Sequence, residues 1–189
     1  MYDKKMALEK AAHDIFYEKG YKDTNISEIT NRAGMAIGSF YKYYSSKEDI
    51  FLAIYIQENE RIKKEIINKI DWSEKPSQVV HNFLGYISIE LSHNAILAEW
   101  YNKNISSLLH NYYYSDEGKN NYFFYQFSEK VLRNWIKEKK CSKKNIQNGM
   151  DILNAIYYLD SHVNEIGLTN YPESINQLVE YLIKGMFPD

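Results

Sequence analysis

Cysteine is almost absent from this 189-residue sequence; Cys141 is the single one, so no intramolecular disulfide and no cysteine-based zinc site can staple the fold. Three prolines and eight glycines are too few turn-formers for an all-β architecture. Charges interrupt every apolar segment before it reaches the roughly 20 residues that a helical membrane span requires. A net charge of −2 excludes the strongly basic balance of a wholesale, charge-driven nucleic-acid binder. There is no glycine-rich phosphate loop, no nucleophile elbow and no His-Glu metal motif, and His81, His93, His110 and His162 are dispersed without an i, i+4 pair. Neither catalysis nor a metal or cofactor is expected. Met1 opens no signal-peptide pattern, and the reduced cysteine usage points to the cytoplasm.

Helical periodicity is what the chain does have. Leu8, Ala11, Ala12, Ile15 and Phe16 repeat at i, i+3, i+4, i+7 and i+8, which predicts a helix over about 4–19 that stops at Gly20. Asn25 followed three residues later by Glu28 has the form of a capping box and starts a short second helix ending at Gly34. A third helix is predicted over 37–43. A fourth, capped by Ser45 or Ser46, carries Ile50, Phe51, Ile54, Ile62, Ile66, Ile67 and Ile70 until residues 71–76 break it. Beyond Pro76 helices are predicted at about 77–92, 95–112, 120–140, 146–167 and 173–187. The expected fold is all-α with about nine helices: an N-terminal three-helix domain over 1–46 and a larger helical domain over 47–189.

Residues 26–43 meet the needs of a helix-turn-helix: a bracing helix, a tight turn, and a second helix small enough at its exposed positions to enter a major groove. Ile37, Gly38 and Ser39 are small or uncharged, and Tyr41, Lys42, Tyr43 and Lys47 surround them with hydroxyl and ammonium groups suited to phosphates. From Ile29 to Lys47 the chain carries Arg32, Lys42 and Lys47 and no acid, so this is the window DNA can approach.

The run Gly20-Tyr21, Thr24, Ile29, Ala33-Gly34, Gly38, Phe40-Tyr41, Tyr43 and Ser46-Lys47-Glu48 resembles the signature of the TetR family of bacterial regulators over about the first 55 residues. The resemblance implies a homodimer whose two recognition helices enter successive major grooves of palindromic double-stranded operator DNA. It further implies that Ile37 and Ser39 face bases, that Tyr41 and Tyr43 contact phosphate or sugar, that Lys47 reaches phosphate, and that Gly38 permits close backbone approach. Thr24, Asn25, Ala36 and Lys42 complete the expected DNA-binding set. Two positions depart from the family pattern: Ala36 replaces a capping Ser or Thr, and Thr30 replaces Ala.

Eighteen tyrosines are an unusual load for a helical protein, because buried hydroxyls need partners and a dry core supplies few. A cavity would relieve that demand. Trp100, Tyr101, Tyr113, Phe123, Phe124, Phe127, Tyr157 and Tyr158 are therefore the expected wall of a site for a small hydrophobic effector, with ordinary aromatic packing as the alternative for each ring. Glu90, Glu99 and Asp160 are acids on apolar stretches, and one of them facing such a cavity would favour a cationic lipophile. The apolar stripes of the last two helices exceed what one neighbour covers, so Leu153, Ile156, Val163, Ile175, Leu178 and Leu182 are the expected homodimer contacts. Two functions fit these features. One is a repressor released from its operator by a hydrophobic effector; the other is a helical scaffold whose helix-turn-helix no longer binds DNA.

Overall fold

The computed structural model describes residues 3–138, 143–162, 166, 170, 171 and 173–187, without the side chains of 143, 145, 150, 153, 154, 157, 160 and 161. Among these residues there is no strand and the architecture is all helical. The helices are α1 Lys4–Lys19, α2 Ile26–Arg32, α3 Ile37–Phe40, α4 Lys47–Lys69, α5 Pro76–His93, α6 Ala95–Ala98, a 3-10 turn Glu99–Tyr101, α7 Ser106–Tyr114, α8 Asp116–Asn121, α9 Phe123–Glu138, α10 Lys143–Ser161 and α11 Glu173–Met186.

Local capping explains most of the boundaries. Asn25 Oδ1 accepts from the Glu28 N–H at 3.0 Å while Glu28 Oε2 accepts from the Asn25 N–H at 3.3 Å, so the capping box forms. Ser46 Oγ accepts from the Asp49 N–H at 3.1 Å and caps α4. Asp71 closes a turn on the Ser73 N–H, and Pro76 opens α5, where its missing N–H costs nothing.

Three predicted helices differ from those formed. The predicted 37–43 helix ends at Phe40, where the Lys42 and Tyr43 N–H groups bond the Ser39 and Phe40 carbonyls three residues back in place of the i−4 partners of an α-helix. The predicted 95–112 helix is divided at Asn102: its side chain accepts from the Asn104 N–H, and its carbonyl from Ile105 and Ser106, so local bonds displace the helical ladder. The predicted 120–140 helix begins at Phe123 after a separate short helix that Ser115 caps.

The chain divides into two compact units, Met1–Ile62 with Ile89–Tyr113, and Lys63–Ser88 with Tyr114–Asp189. The first is built around Leu8, Phe16, Ile29, Phe40, Ile50 and Phe51, none of which is exposed at all. Phe51 meets Phe16 and Tyr21 edge-on, with ring centroids 4.9 and 5.0 Å apart. The second holds a smaller cluster of Leu132, Ile183 and Phe187, flanked by Val80, Trp135, Ile136, Val179 and Met186.

A buried carboxylate ties the first unit together. Glu58, 2% exposed, accepts from Asn94 Nδ2 at 2.6 Å and from two Arg61 nitrogens at 2.7 and 2.9 Å, with His13 Nε2 at 3.3 Å. Burial pushes its carboxyl up, but the Arg61 and Asn94 hydrogen bonds, the Arg61 charge and His13 outweigh that and hold it at about 2, below the ordinary 4.5. The folded value is depressed, so the stabilisation is complete above pH 4.5 and is lost as pH falls towards 2. It amounts to about 3 kcal/mol. Urea unfolding followed across that window tests this: the wild type loses stability steeply, and Glu58→Gln, with no carboxylate to protonate, loses less. Equal pH slopes in the two proteins count against the assignment.

Candidate nucleic-acid interface and effector cavity

The turn between α2 and α3 rests on Gly34, whose φ of +67° favours glycine. From that turn α3 holds its buried side inward through Phe40 and turns Ile37 and Gly38 outward, with Tyr41 and Tyr43 exposed just beyond its end. Ile37 is 53% exposed and Tyr41 59%. A methyl group added at Gly38 would meet nothing within 4 Å, and its backbone is ordinary, so this protein's own packing does not demand glycine there. Ser39 is half-buried; Ala36 is exposed and provides no side-chain cap. Thr30, the other departure from the family pattern, is buried with its hydroxyl donating to the Ile26 and Ser27 carbonyls, so it is satisfied within its own helix.

The cations of the acid-free window meet different fates. Arg32 forms a two-pronged pair with Glu18 at 2.6 and 2.9 Å. Lys47 Nζ donates to the Tyr21 and Thr24 carbonyls, both at 2.9 Å, and lies 4.1 Å from the Tyr21 ring centre. Lys42 is exposed and has no ion pair among the described residues. Thr24 is buried, donating to the Gly20 carbonyl at 2.7 Å, and Asn25 caps α2. Lys47, Thr24 and Asn25 thus also build the loop that joins α1 to α2.

Glu99 belongs to that loop as well. It is 8% exposed, and its Oε1 accepts from the Tyr21 N–H at 2.7 Å. Gly20, at φ +77°, lies so close that an added Cβ would stand 2.9 Å from this oxygen. The acid considered for cation recognition is therefore an acceptor for a buried backbone N–H. Nothing in the local pattern around Glu99 announces a partner 78 residues earlier.

The predicted aromatic wall is divided between the two units. Trp100 and Tyr113 pack in the first with Tyr55 and His110, the Trp100 ring 4.4 Å from His110 and 5.6 Å from Tyr113. The Tyr113 hydroxyl accepts from Asn59 Nδ2 at 2.8 Å, and burial pushes its phenol pKa up. Tyr101, half-buried, belongs to the same unit.

The second unit contains a cavity of about 250 Å³. Val79, Val80, Phe83 and Leu84 of α5 line one part, Phe124, Phe127, Val131, Leu132 and Trp135 of α9 another, and Trp72, Val179 and Ile183 contribute further apolar surface. Phe124 stacks on Phe83 at 4.8 Å, and Trp72 meets Phe127 edge-on at 4.9 Å. Phe123 and Tyr158 are not in this wall: Phe123 stacks on Phe127 at 5.9 Å, and Tyr158 is 62% exposed against His162. The side chain of Tyr157 lies outside the described residues. The α9 contribution follows i, i+3, i+7, i+8 and i+11 from Phe124, a helical stripe that periodicity reveals once aliphatic residues are counted with the rings.

Of the expected dimer contacts, Ile156 and Ile175 are buried, Leu182 is half-buried, and Leu178 is 41% exposed. The side chain of Leu153 and the whole of Val163 lie outside the described residues.

An all-helical fold with a short, outward-facing helix after a glycine turn defines a helix-turn-helix protein. Residues 8–54 match the family model described as bacterial regulatory proteins, tetR family. The fatty acid metabolism regulator protein of Bacillus subtilis is 32% identical over 89 residues, covering 45% of this chain and 46% of that protein. The alignment thus spans less than half the length of that curated relative. Among solved structures, RolR with the ligand resorcinol has a TM-score of 0.68 at 14% identity, covering 98% of this chain and 87% of that one. FadR from Bacillus subtilis in complex with stearoyl-CoA has a TM-score of 0.58 at 16% identity, covering 96% of this chain and 98% of that one. These two likenesses establish the fold. Among the described residues no helix is long and apolar enough to cross a membrane.

Proposed function

We propose that this chain is a cytoplasmic, ligand-responsive transcription regulator: a homodimer that binds palindromic operator DNA through α2 and α3 and releases it when a hydrophobic effector occupies the second unit. The observation that carries the DNA-binding half is the outward face of α3. Ile37 and Tyr41 are held in solvent at more than half exposure, and the space over Gly38 is open. A protein that used this helix only for packing would not keep that face bare. DNA approaching there meets small groups at the helix and the Tyr41 and Tyr43 hydroxyls and Lys42 beside it.

Release follows from the cavity wall. The Trp72 indole N–H donates to the Ile67 carbonyl of α4 at 2.9 Å, so an occupant that displaces Trp72 acts on that helix. The N-terminal turns of α4 pack against α1 and the α1–α2 loop through Phe51, which meets Phe16 and Tyr21. Half-sites one turn of DNA apart require recognition helices about 34–36 Å apart, and a small change in the tilt of α4 in each subunit removes simultaneous docking.

Fluorescence anisotropy with the protein's own promoter region tests the DNA reading. Affinity falls steeply with salt, because phosphates are neutralised on binding. Gly38→Ala keeps or slightly raises stability, since alanine is the better helix former, yet weakens specific binding; Ser39 substitutions change base preference. A Gly38→Ala protein with unaltered DNA affinity removes the role given to this face. Salt-independent or undetectable binding favours the scaffold reading instead.

A further inference from the structure

We infer that the cavity of the second unit selects an uncharged lipophile and rejects both anionic and cationic molecules of the same shape. This rests on the reading of that cavity as the effector site. Its volume of about 250 Å³ exceeds the roughly 150 Å³ apolar cavity that takes benzene, so it holds a small fused-ring molecule or a medium-length chain. Its polar groups decide which kind. Among the described wall residues Glu129 is the only charged one, and no Lys, Arg or His is present. Glu129 is neutralised on its own helix, accepting from Arg133 at 2.6 Å. Ser128 donates to the Tyr125 carbonyl at 2.9 Å, and Trp72 donates to Ile67.

What remains on the wall without a hydrogen bond among the described residues is the Tyr125 hydroxyl and the Trp135 indole N–H. Both are neutral groups, suited to a hydroxyl, ether or carbonyl oxygen. Besides Arg133, Lys63 borders the wall without belonging to it; it donates to the Tyr122 hydroxyl and lies 4.6 Å from the centre of the Phe124 ring. An anionic ligand would bring its charge beside Glu129 with no cation in the wall, and a cationic one would have to displace Arg133. A neutral ligand meets neither cost.

Three ligands of one chain length separate the cases: 1-decanol, decanoate and decylammonium, each titrated into the full-length protein. Binding is read from the change in tryptophan emission. The Trp72→Phe, Trp135→Phe double variant, which keeps only Trp100 in the other unit, serves as the control for location. The expected result is saturable 1-decanol binding, at least about tenfold tighter than either charged ligand. Glu129→Gln should narrow the gap between decanoate and 1-decanol, because it removes the only charge among the described wall residues. The emission change should vanish in the double variant, and the 1-decanol-induced rise in melting temperature should be smaller than in the wild type. Decanoate or decylammonium binding as tightly as 1-decanol overturns the inference and leaves the effector reading standing. If none of the three raises the melting temperature, the cavity is not an effector site and both readings fall.

Discussion

Phe51→Ala lowers the stability of the first unit by about 3–5 kcal/mol and abolishes DNA binding at temperatures where the wild type still binds. The side chain has no exposure, and its ring lies against two others, Phe16 from α1 and Tyr21 from the α1–α2 loop. Removing it opens a cavity where three segments meet, and the surrounding rings cannot collapse without shifting the Tyr21 backbone that Glu99 holds. Denaturation by urea measures the loss, and anisotropy at low temperature, where the variant is still folded, separates stability from recognition. A variant that loses less than about 1 kcal/mol would mean that the site relaxes freely and that the aromatic contacts contribute little beyond their area.

Leu178→Glu is expected to convert the protein to monomers and to reduce operator affinity by orders of magnitude, while each monomer stays folded. Leu178 is 41% exposed on α11, so a carboxylate there is solvated in the separate chain and buried only if a second chain covers it. Tyr181, 60% exposed, belongs to the same helix, which also holds the buried Ile175 and Ile183. Two linked half-site contacts bind far more tightly than one, which is why loss of the dimer reaches the DNA. Sedimentation velocity together with anisotropy checks both halves. A Leu178→Glu protein that remains dimeric would move the interface elsewhere, and a monomeric wild type at micromolar concentration would remove it altogether.

The helical content and the N-terminal motif were legible because their causes lie within a few residues of one another. Asn25 and Glu28 are three apart, Ser46 and Asp49 likewise, and the α1 stripe repeats within one helix. The same locality explains the helices misjudged at Asn102 and Tyr122, where a side-chain bond or a single extended residue outweighs the propensity of the whole stretch. The cavity was half legible. Phe124 and Phe127 stand in the expected wall, while Trp72 and Phe83 do not, because these two reach the cavity from a loop and from α5, far earlier in the chain.

What the order of residues dictated unaided was the all-helical fold class, the glycine turn at Gly34 and the pattern from Gly20 to Glu48, since backbone conformation and one-sided burial respond to near neighbours. What only the folded chain decided was which polar and aromatic side chains remain available. Lys47 is engaged by carbonyls 23 and 26 residues away, and Glu99 by an N–H 78 residues away. Tyr113 is satisfied by an amide 54 residues before it. A buried polar atom takes whichever partner the packing delivers, and no local pattern encodes a partner that far along the chain.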